Sequence, residues 1–92
     1  MEKLTQDQID AALADLTDWT QEGPLVVRTF RFGDFGQAVN FVTRVAEVAE
    51  DMDHHPDIDI RYNKVSLRLS THSVGGLTAA DMELARRLEH VA

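Results

Sequence analysis

A chain of 92 residues has room for one small domain and not two. Its 9 basic and 16 acidic side chains leave a formal net charge of −7, which excludes bulk-charge attraction to nucleic acid or an anionic membrane. A hydrophobic share of 43% argues for a packed core, and the absence of cysteine removes disulfides, thiolate metal sites and cysteine nucleophiles together.

The opening MEKLTQDQID is polar, and the longest apolar run is Ala11 to Ala14. A membrane-spanning helix needs about 20 apolar residues and a signal-peptide core about 7–15, so neither is expected and the expected location is the cytosol. Thr5 with Gln8 forms a capping box, and Ile9, Ala12, Leu13 and Leu16 follow at helical spacing, predicting a first helix over Gln6–Leu16. Glu22-Gly23-Pro24 is turn chemistry, and the β-rich stretch Leu25–Phe32 predicts a strand in a hairpin with residues around Trp19.

Gly33 ends that strand, and Asp34 with Gln37 resembles a second cap. Phe35, Ala38, Val39, Val42, Val45, Ala46, Ala49 and Met52 then recur in steps of three and four. Phe41 and Val48 add a second apolar stripe, which either lies deep in the domain or meets another subunit. Pro56 is expected to stop this helix, since a residue before proline avoids the α region. Two alternating runs, Ile58–Tyr62 and Val65–Thr71, predict a hairpin around Asn63-Lys64. After Gly75-Gly76, Thr78 and Asp81 form a third cap, with Met82, Leu84, Ala85, Leu88 and Val91 as the last helix. The order α-β-β-α-β-β-α over residues 1–92 predicts a single α+β domain, a four-stranded antiparallel sheet with three helices packed on one face.

The second hairpin carries the functional reading. With Asn63-Lys64 as the loop, Tyr62 faces Val65, Ile60 faces Leu67, Ile58 faces Leu69 and Asp59 faces Arg68. Continued, the ladder sets His55 opposite His72, and opposed residues stand about 4.5–5.5 Å apart at Cα. His54, His55 and His72 are therefore expected at the open end of the hairpin. Glu50 lies one helical turn before His54, Asp53 is adjacent, and Asp81 begins the last helix. Imidazole, with an ordinary pKa of about 6.5, both gives and accepts protons near neutrality. Several imidazoles beside orienting carboxylates would make an acid–base site that needs no cofactor.

Each residue also has a plainer reading. His54-His55 would suit a helix C-terminus, Asp81 a capping box, Glu50 and Asp53 a solvated helix face, and Trp19 a core or rim aromatic. His90 has no assigned role. Three histidines with carboxylates could also hold zinc, although neighbouring helical side chains such as His54 and His55 diverge. Ser70, Thr71 and Ser73 border His72 without a nucleophile elbow, and no phosphate-binding glycine fingerprint occurs.

The segments Glu50–Pro56 (EDMDHHP), Tyr62–Val65 (YNKV), Thr71-His72, Gly76-Leu77-Thr78 and Asp81 resemble the pterin-4a-carbinolamine dehydratases. Phe41–Ala46, the Trp19 region and Leu84-Ala85 extend the likeness from about Leu16 to Val91. The resemblance implies a small α+β domain that dehydrates 4a-hydroxytetrahydrobiopterin or a related 4a-hydroxytetrahydropterin to the quinonoid dihydropterin, in pterin recycling. It implies His54 and His72 as the acid–base pair and His55 as a substrate-contacting partner. Glu50, Asp53 and Asp81 would orient imidazoles or bind pterin NH groups, and Trp19 would wall the pocket. Vertebrate members carry Trp where this chain has Ile58. The resemblance further implies a homodimer or homotetramer, with no metal and no membrane partner. Some animal members also serve as dimerisation cofactors for a transcription factor, so a protein-binding role is the second expectation. A zinc hydrolase is the third.

Overall fold

The computed structural model describes residues 1–92. Its elements are α1 (Gln6–Leu13), β1 (Thr20–Glu22), β2 (Leu25–Arg31), α2 (Phe35–Met52), β3 (Asp57–Arg61), β4 (Lys64–Leu69) and α3 (Ala79–Val91), with a 3-10 turn at His72–Val74. The α+β order matches the expectation from the sequence. The strands form one antiparallel sheet in the order β1-β2-β4-β3, which puts β4 inside and β3 on an edge.

Helix α1 stops at Leu13 rather than Leu16. Beyond it the chain tightens into shorter-range bonds, Asp15 N to Ala12 O at 3.3 Å and Leu16 N to Leu13 O at 3.1 Å, while Leu16 itself stays buried. The Thr5–Gln8 capping box is present in both directions.

The core lies between the sheet and the helices. Val26 and Phe30 of β2 and Val65, Leu67 and Leu69 of β4 meet Ala38, Phe41, Val45 and Val48 of α2 and Met82, Leu84, Ala85 and Leu88 of α3. Phe41 centres an aromatic group, its ring 4.6 Å from Phe30 and 5.0 Å from Phe32. Phe41 and Val48 are thus core residues: of the two expected alternatives the stripe lies deep in the domain, and its use as an exposed interface is corrected. The large apolar side chains that α2 exposes are Phe35 and Val39. Their exposure follows from helix phase, since the buried positions 38, 41, 45, 48 and 49 define one face.

The register of β3 with β4 also differs from the expectation. Ile60 faces Val65 and Ile58 faces Leu67, a displacement of two positions along β4, and Arg68 faces Asp57 instead of Asp59. A two-residue displacement returns every side chain to its original face, so alternation alone does not separate the two registers. Asn63 does. Its side-chain amide donates to Phe32 O at 2.8 Å while its own carbonyl accepts from Phe32 N at 2.9 Å, tying the turn to the end of β2. The turn residues become Tyr62 and Asn63, with Tyr62 in the left-handed region at φ 52°.

Helix α2 begins at the expected cap, with Asp34 Oδ1 accepting from Gln37 N at 2.8 Å. It ends before Pro56 exerts its effect. Asp53 takes φ 49°, its N–H donates to Glu50 O, and His54 N–H donates to Ala49 O at 3.0 Å. This paired pattern is a Schellman stop, and it delivers His54 as the first residue to leave the helix axis. A left-handed non-glycine costs about 1–2 kcal/mol, and an acidic side chain there also opposes the helix dipole. Asp53→Gly is expected to raise unfolding free energy by about 0.5–1 kcal/mol after the added chain entropy, and Asp53→Val to lower it by about 1–2 kcal/mol. Urea denaturation of the two variants beside the wild type checks both signs.

Candidate active site

The site is built around Asp81. As the third residue of α3 it caps that helix, Oδ2 accepting from Thr78 N at 2.9 Å. The same oxygen accepts from the Thr71 hydroxyl at 2.8 Å, and the side chain is fully buried. Its other oxygen, Oδ1, lies 2.6 Å from His54 Nε2. Asp81 therefore joins the segment after α2, the segment after β4 and the start of α3. A buried carboxylate needs such donors, because stripping it of water without them costs several kcal/mol.

This geometry constrains the imidazole. Asp81 Oδ1 can only accept, so His54 Nε2 carries the proton between them. In the neutral ring the lone pair then resides on Nδ1. His54 is 15% exposed at its side chain, covered but not sealed. A histidine with one nitrogen anchored to a buried carboxylate and the other free is arranged to take a proton.

His55 has a different partner. Its Nε2 lies 2.5 Å from Glu50 Oε2, with both side chains mostly in solvent. An exposed pair of this kind contributes about 0–1 kcal/mol to stability, so it orients the ring more than it supports the fold. The expectation of Glu50 contacting His54 through i,i+4 spacing is corrected: the Schellman stop turns His54 toward Asp81 and leaves Glu50 to His55.

His72 opens the 3-10 turn, exposed and without a side-chain hydrogen bond. It does not face His55 across a ladder, since β3 and β4 stop pairing at Asp57 and Arg68. It follows Thr71 in sequence, and the Thr71 hydroxyl reaches the carboxylate that holds His54. Asp53 is exposed, and its left-handed backbone is its structural contribution. Trp19 is not brought to the histidines. It is 4% exposed, packs edge-on to Phe30 at 6.3 Å, and precedes β1 at the sheet edge opposite β3. Its aromatic face serves the core. His90 Nδ1 donates to Arg86 O at 2.9 Å within α3.

His54 and His55 direct their Nε2 atoms to different carboxylates, and no three His, Asp or Glu side chains stand together as a metal-ion cage. Two concavities occur, of about 660 Å³ between β2 and the end of α3 and about 390 Å³ between α1 and α3. Neither is lined by His54, His55 or His72. His55 and His72 are exposed and His54 is half-buried, and bonding rather than depth marks the site. The sequence sets Thr71 beside His72 and Thr78 as a cap, and both lie in the motifs of the resemblance, without linking either to His54. Their joint contact with Asp81 depends on how the strand end meets the helix start, which spacing does not encode.

Residues 2–91 match the family model described as pterin 4 alpha carbinolamine dehydratase. The chain belongs to that family. It is 50% identical over 91 residues to a Nocardia farcinica protein provisionally named pterin-4-alpha-carbinolamine dehydratase, covering 99% of this chain and 96% of that one. A Mycobacteroides abscessus protein with the same provisional name is 51% identical over 89 residues, covering 97% and 95%. Among solved structures, a transcriptional coactivator/pterin dehydratase from Brucella melitensis superposes with TM-score 0.94 at 35% identity over 99% of both chains. A pterin dehydratase-like protein identified as a RuBisCO assembly factor of the alpha-carboxysome superposes with TM-score 0.70 at 26% identity, over 82% of this chain and 89% of that one. The proteins similar to this chain thus include relatives named for chemistry and a structural neighbour named for assembly.

Asp81→Asn tests the site as a bonded unit. The amide oxygen would keep the Thr71 and Thr78 donors, leaving an NH2 against His54 Nε2. The expected result is a His54 ring protonated on Nδ1 instead of Nε2, read by ring ¹⁵N NMR, with a loss of about 1–3 kcal/mol in urea denaturation.

Proposed function

We propose that this chain dehydrates a 4a-hydroxytetrahydropterin, with 4a-hydroxytetrahydrobiopterin as the type substrate, to the quinonoid dihydropterin and water. The observation that carries the reading is the His54–Asp81 contact, a covered imidazole anchored on a fully buried carboxylate. Family membership supplies the substrate class.

The reaction removes a proton from N5 and a hydroxyl group from C4a. The electron pair of the N5–H bond becomes the second bond between N5 and C4a, and the C4a–O bond breaks. Hydroxide leaves poorly, so an acid must hand its oxygen a proton as it departs, forming water. One proton is gained by a base and one is lost by an acid, so the pair is restored by a single exchange with solvent. Side chains alone can supply both transfers.

His54 is the base, because Asp81 holds the proton on Nε2 and leaves Nδ1 as the accepting nitrogen. His72, exposed and without a side-chain bond, is the acid. His55, steadied by Glu50, contacts the substrate, and Glu50 and Asp53 offer acceptors to the NH groups of the pterin ring. No resident cofactor or metal enters this scheme. The absence of cysteine and the net charge of −7 suit a cytosolic chain with a small-molecule substrate. No helix is long and apolar enough to cross a membrane.

Self-association is part of the same proposal. Strand β3 is a five-residue edge whose outer backbone groups have no strand partner, and Ile58, Ile60 and Tyr62 beside it are exposed. A second copy would cover these groups in a homodimer or larger homo-oligomer. A protein-binding role is the second reading, favoured by the exposed Phe35 and Val39 at the opposite end of α2 from the histidines.

Stopped-flow absorbance of 4a-hydroxytetrahydropterin decay tests the activity. The chain is expected to accelerate decay, and His54→Ala or His72→Ala to reduce that acceleration by about 10²–10⁴ with folding intact. A spontaneous rate unchanged by the wild-type protein removes the assignment. Sedimentation velocity tests the assembly: the wild type is expected to sediment as a dimer or larger, and Ile58→Glu/Ile60→Glu to sediment as a monomer.

A further inference from the structure

We propose that Thr71 and Thr78 are positioning residues for His54, acting through Asp81, and that Thr71 also sets where His72 stands. The proposal rests on the dehydratase reading for its consequence in rate, and on geometry for its existence.

The hydroxyl chain has only one direction. Thr71 Oγ1 lies 2.8 Å from Asp81 Oδ2, which accepts only, so the Thr71 hydrogen goes to Asp81. Thr78 Oγ1 lies 2.8 Å from Thr71 Oγ1, whose hydrogen is already committed, so Thr78 donates to Thr71. Thr78 Oγ1 in turn accepts from Ala80 N at 3.3 Å. The relay therefore runs from the α3 backbone through Thr78 and Thr71 to Asp81, and every member is satisfied.

A helix cap does not need this relay. The capping box is complete with the Asp81 bond to Thr78 N and the Thr78 hydroxyl bond to the helix backbone. The Thr71 hydroxyl arrives from a different segment, 8% exposed, and adds a second donor to the oxygen already engaged. Its effect is on carboxylate orientation. Rotation about the terminal bond of Asp is soft, and a single donor would let either oxygen swing toward His54. Two donors from two segments fix Oδ2, which leaves Oδ1 for the imidazole alone.

The backbone of Thr71 serves the other histidine. Thr71 O accepts from Val74 N at 3.2 Å and Gly75 N at 3.0 Å, and Thr71 N donates to Gly76 O at 2.8 Å. These bonds close the 3-10 turn that carries His72. One residue thus holds the carboxylate behind the base with its side chain and the turn beneath the acid with its main chain.

Thr71→Val keeps the shape and removes the donor, and Thr71→Ser keeps the donor. Each is compared with the wild type by kcat and KM for 4a-hydroxytetrahydropterin decay, by circular dichroism, and by the His54 Nε2 proton signal in ring ¹⁵N-resolved NMR. Thr71→Val is expected to lose about 10- to 100-fold in kcat with KM changed by less than about 2-fold, because a misdirected base costs rate more than binding. Its His54 Nε2 proton is expected to broaden beyond detection, against a slowly exchanging signal expected in the wild type. Thr71→Ser is expected to keep both properties. A folded Thr71→Val protein with wild-type kcat and ring signal overturns the proposal, as does a Thr71→Ser protein impaired as strongly as Thr71→Val. Should Thr71→Val fail to fold, Thr71→Cys takes its place with the same expected direction, and a rapidly exchanging His54 Nε2 proton in the wild type is sufficient by itself to overturn it. A wild type inactive on the pterin but with a protected ring proton that Thr71→Val loses would reject the dehydratase reading and keep the positioning relay.

Discussion

The fully buried carboxylate of Asp81 is the constraint on which this end of the molecule depends. Removing a carboxylate from water carries a penalty of several kcal/mol, repaid only when its oxygens are well supplied with donors. Here the donors come from the imidazole of His54, the hydroxyl of Thr71 and the backbone of Thr78, so each of three segments must be in place for the charge to be tolerated. The helix start, the strand end and the histidine consequently order one another. Acid–base chemistry needs this kind of mutual fixation, because a proton acceptor displaced by an ångström loses much of its effect.

The rest of the fold delivers these segments. The aromatic group of Phe30, Phe32 and Phe41 fixes α2 against the sheet, and Asn63 fixes the β3–β4 hairpin against the end of β2. With α2 anchored, the Schellman stop at Asp53 decides the direction in which the chain leaves the helix, and therefore which histidine meets Asp81. The positive φ of Asp53 is a local cost accepted at a point where direction matters. A helix continuing to Pro56 would have kept His54 in phase with Glu50 and away from α3.

Most of the architecture was legible because its signals are local. The three caps at Thr5, Asp34 and Thr78 name helix starts directly, and alternation in residues 58–69 names two strands and their faces. Register was not legible, since a two-residue displacement preserves every face and the arbiter is Asn63 bonding to Phe32, 31 positions away. The last periodic residue, Met52, is the end of α2, but the stop signal was not legible. Proline is a conspicuous breaker, whereas an aspartate in the left-handed region leaves little trace in a sequence. For the site, grouping histidines with carboxylates was legible, but the pairing of partners was not: His54 took Asp81 and His55 took Glu50. Trp19 shows the limit of reading an aromatic by type, since its burial against Phe30 is a matter of core geometry.

Helix α2 separates two exposed features of this chain. His54 and His55 follow the C-terminal end of α2, whereas exposed Phe35 and Val39 stand at its N-terminal end. An 18-residue helix is about 27 Å long, so these two ends stand well beyond direct contact. Packing requires neither the exposed Phe35 nor the free side chain of His72, so either end can change without unmaking the core. A fold with two separable surfaces can lose chemistry and keep association, or the reverse, through a few substitutions. In this chain the histidine end is complete in its bonding, with Asp81 supplied by three donors and His54 held by one nitrogen, so a substitution at any of the three segments disturbs the buried charge.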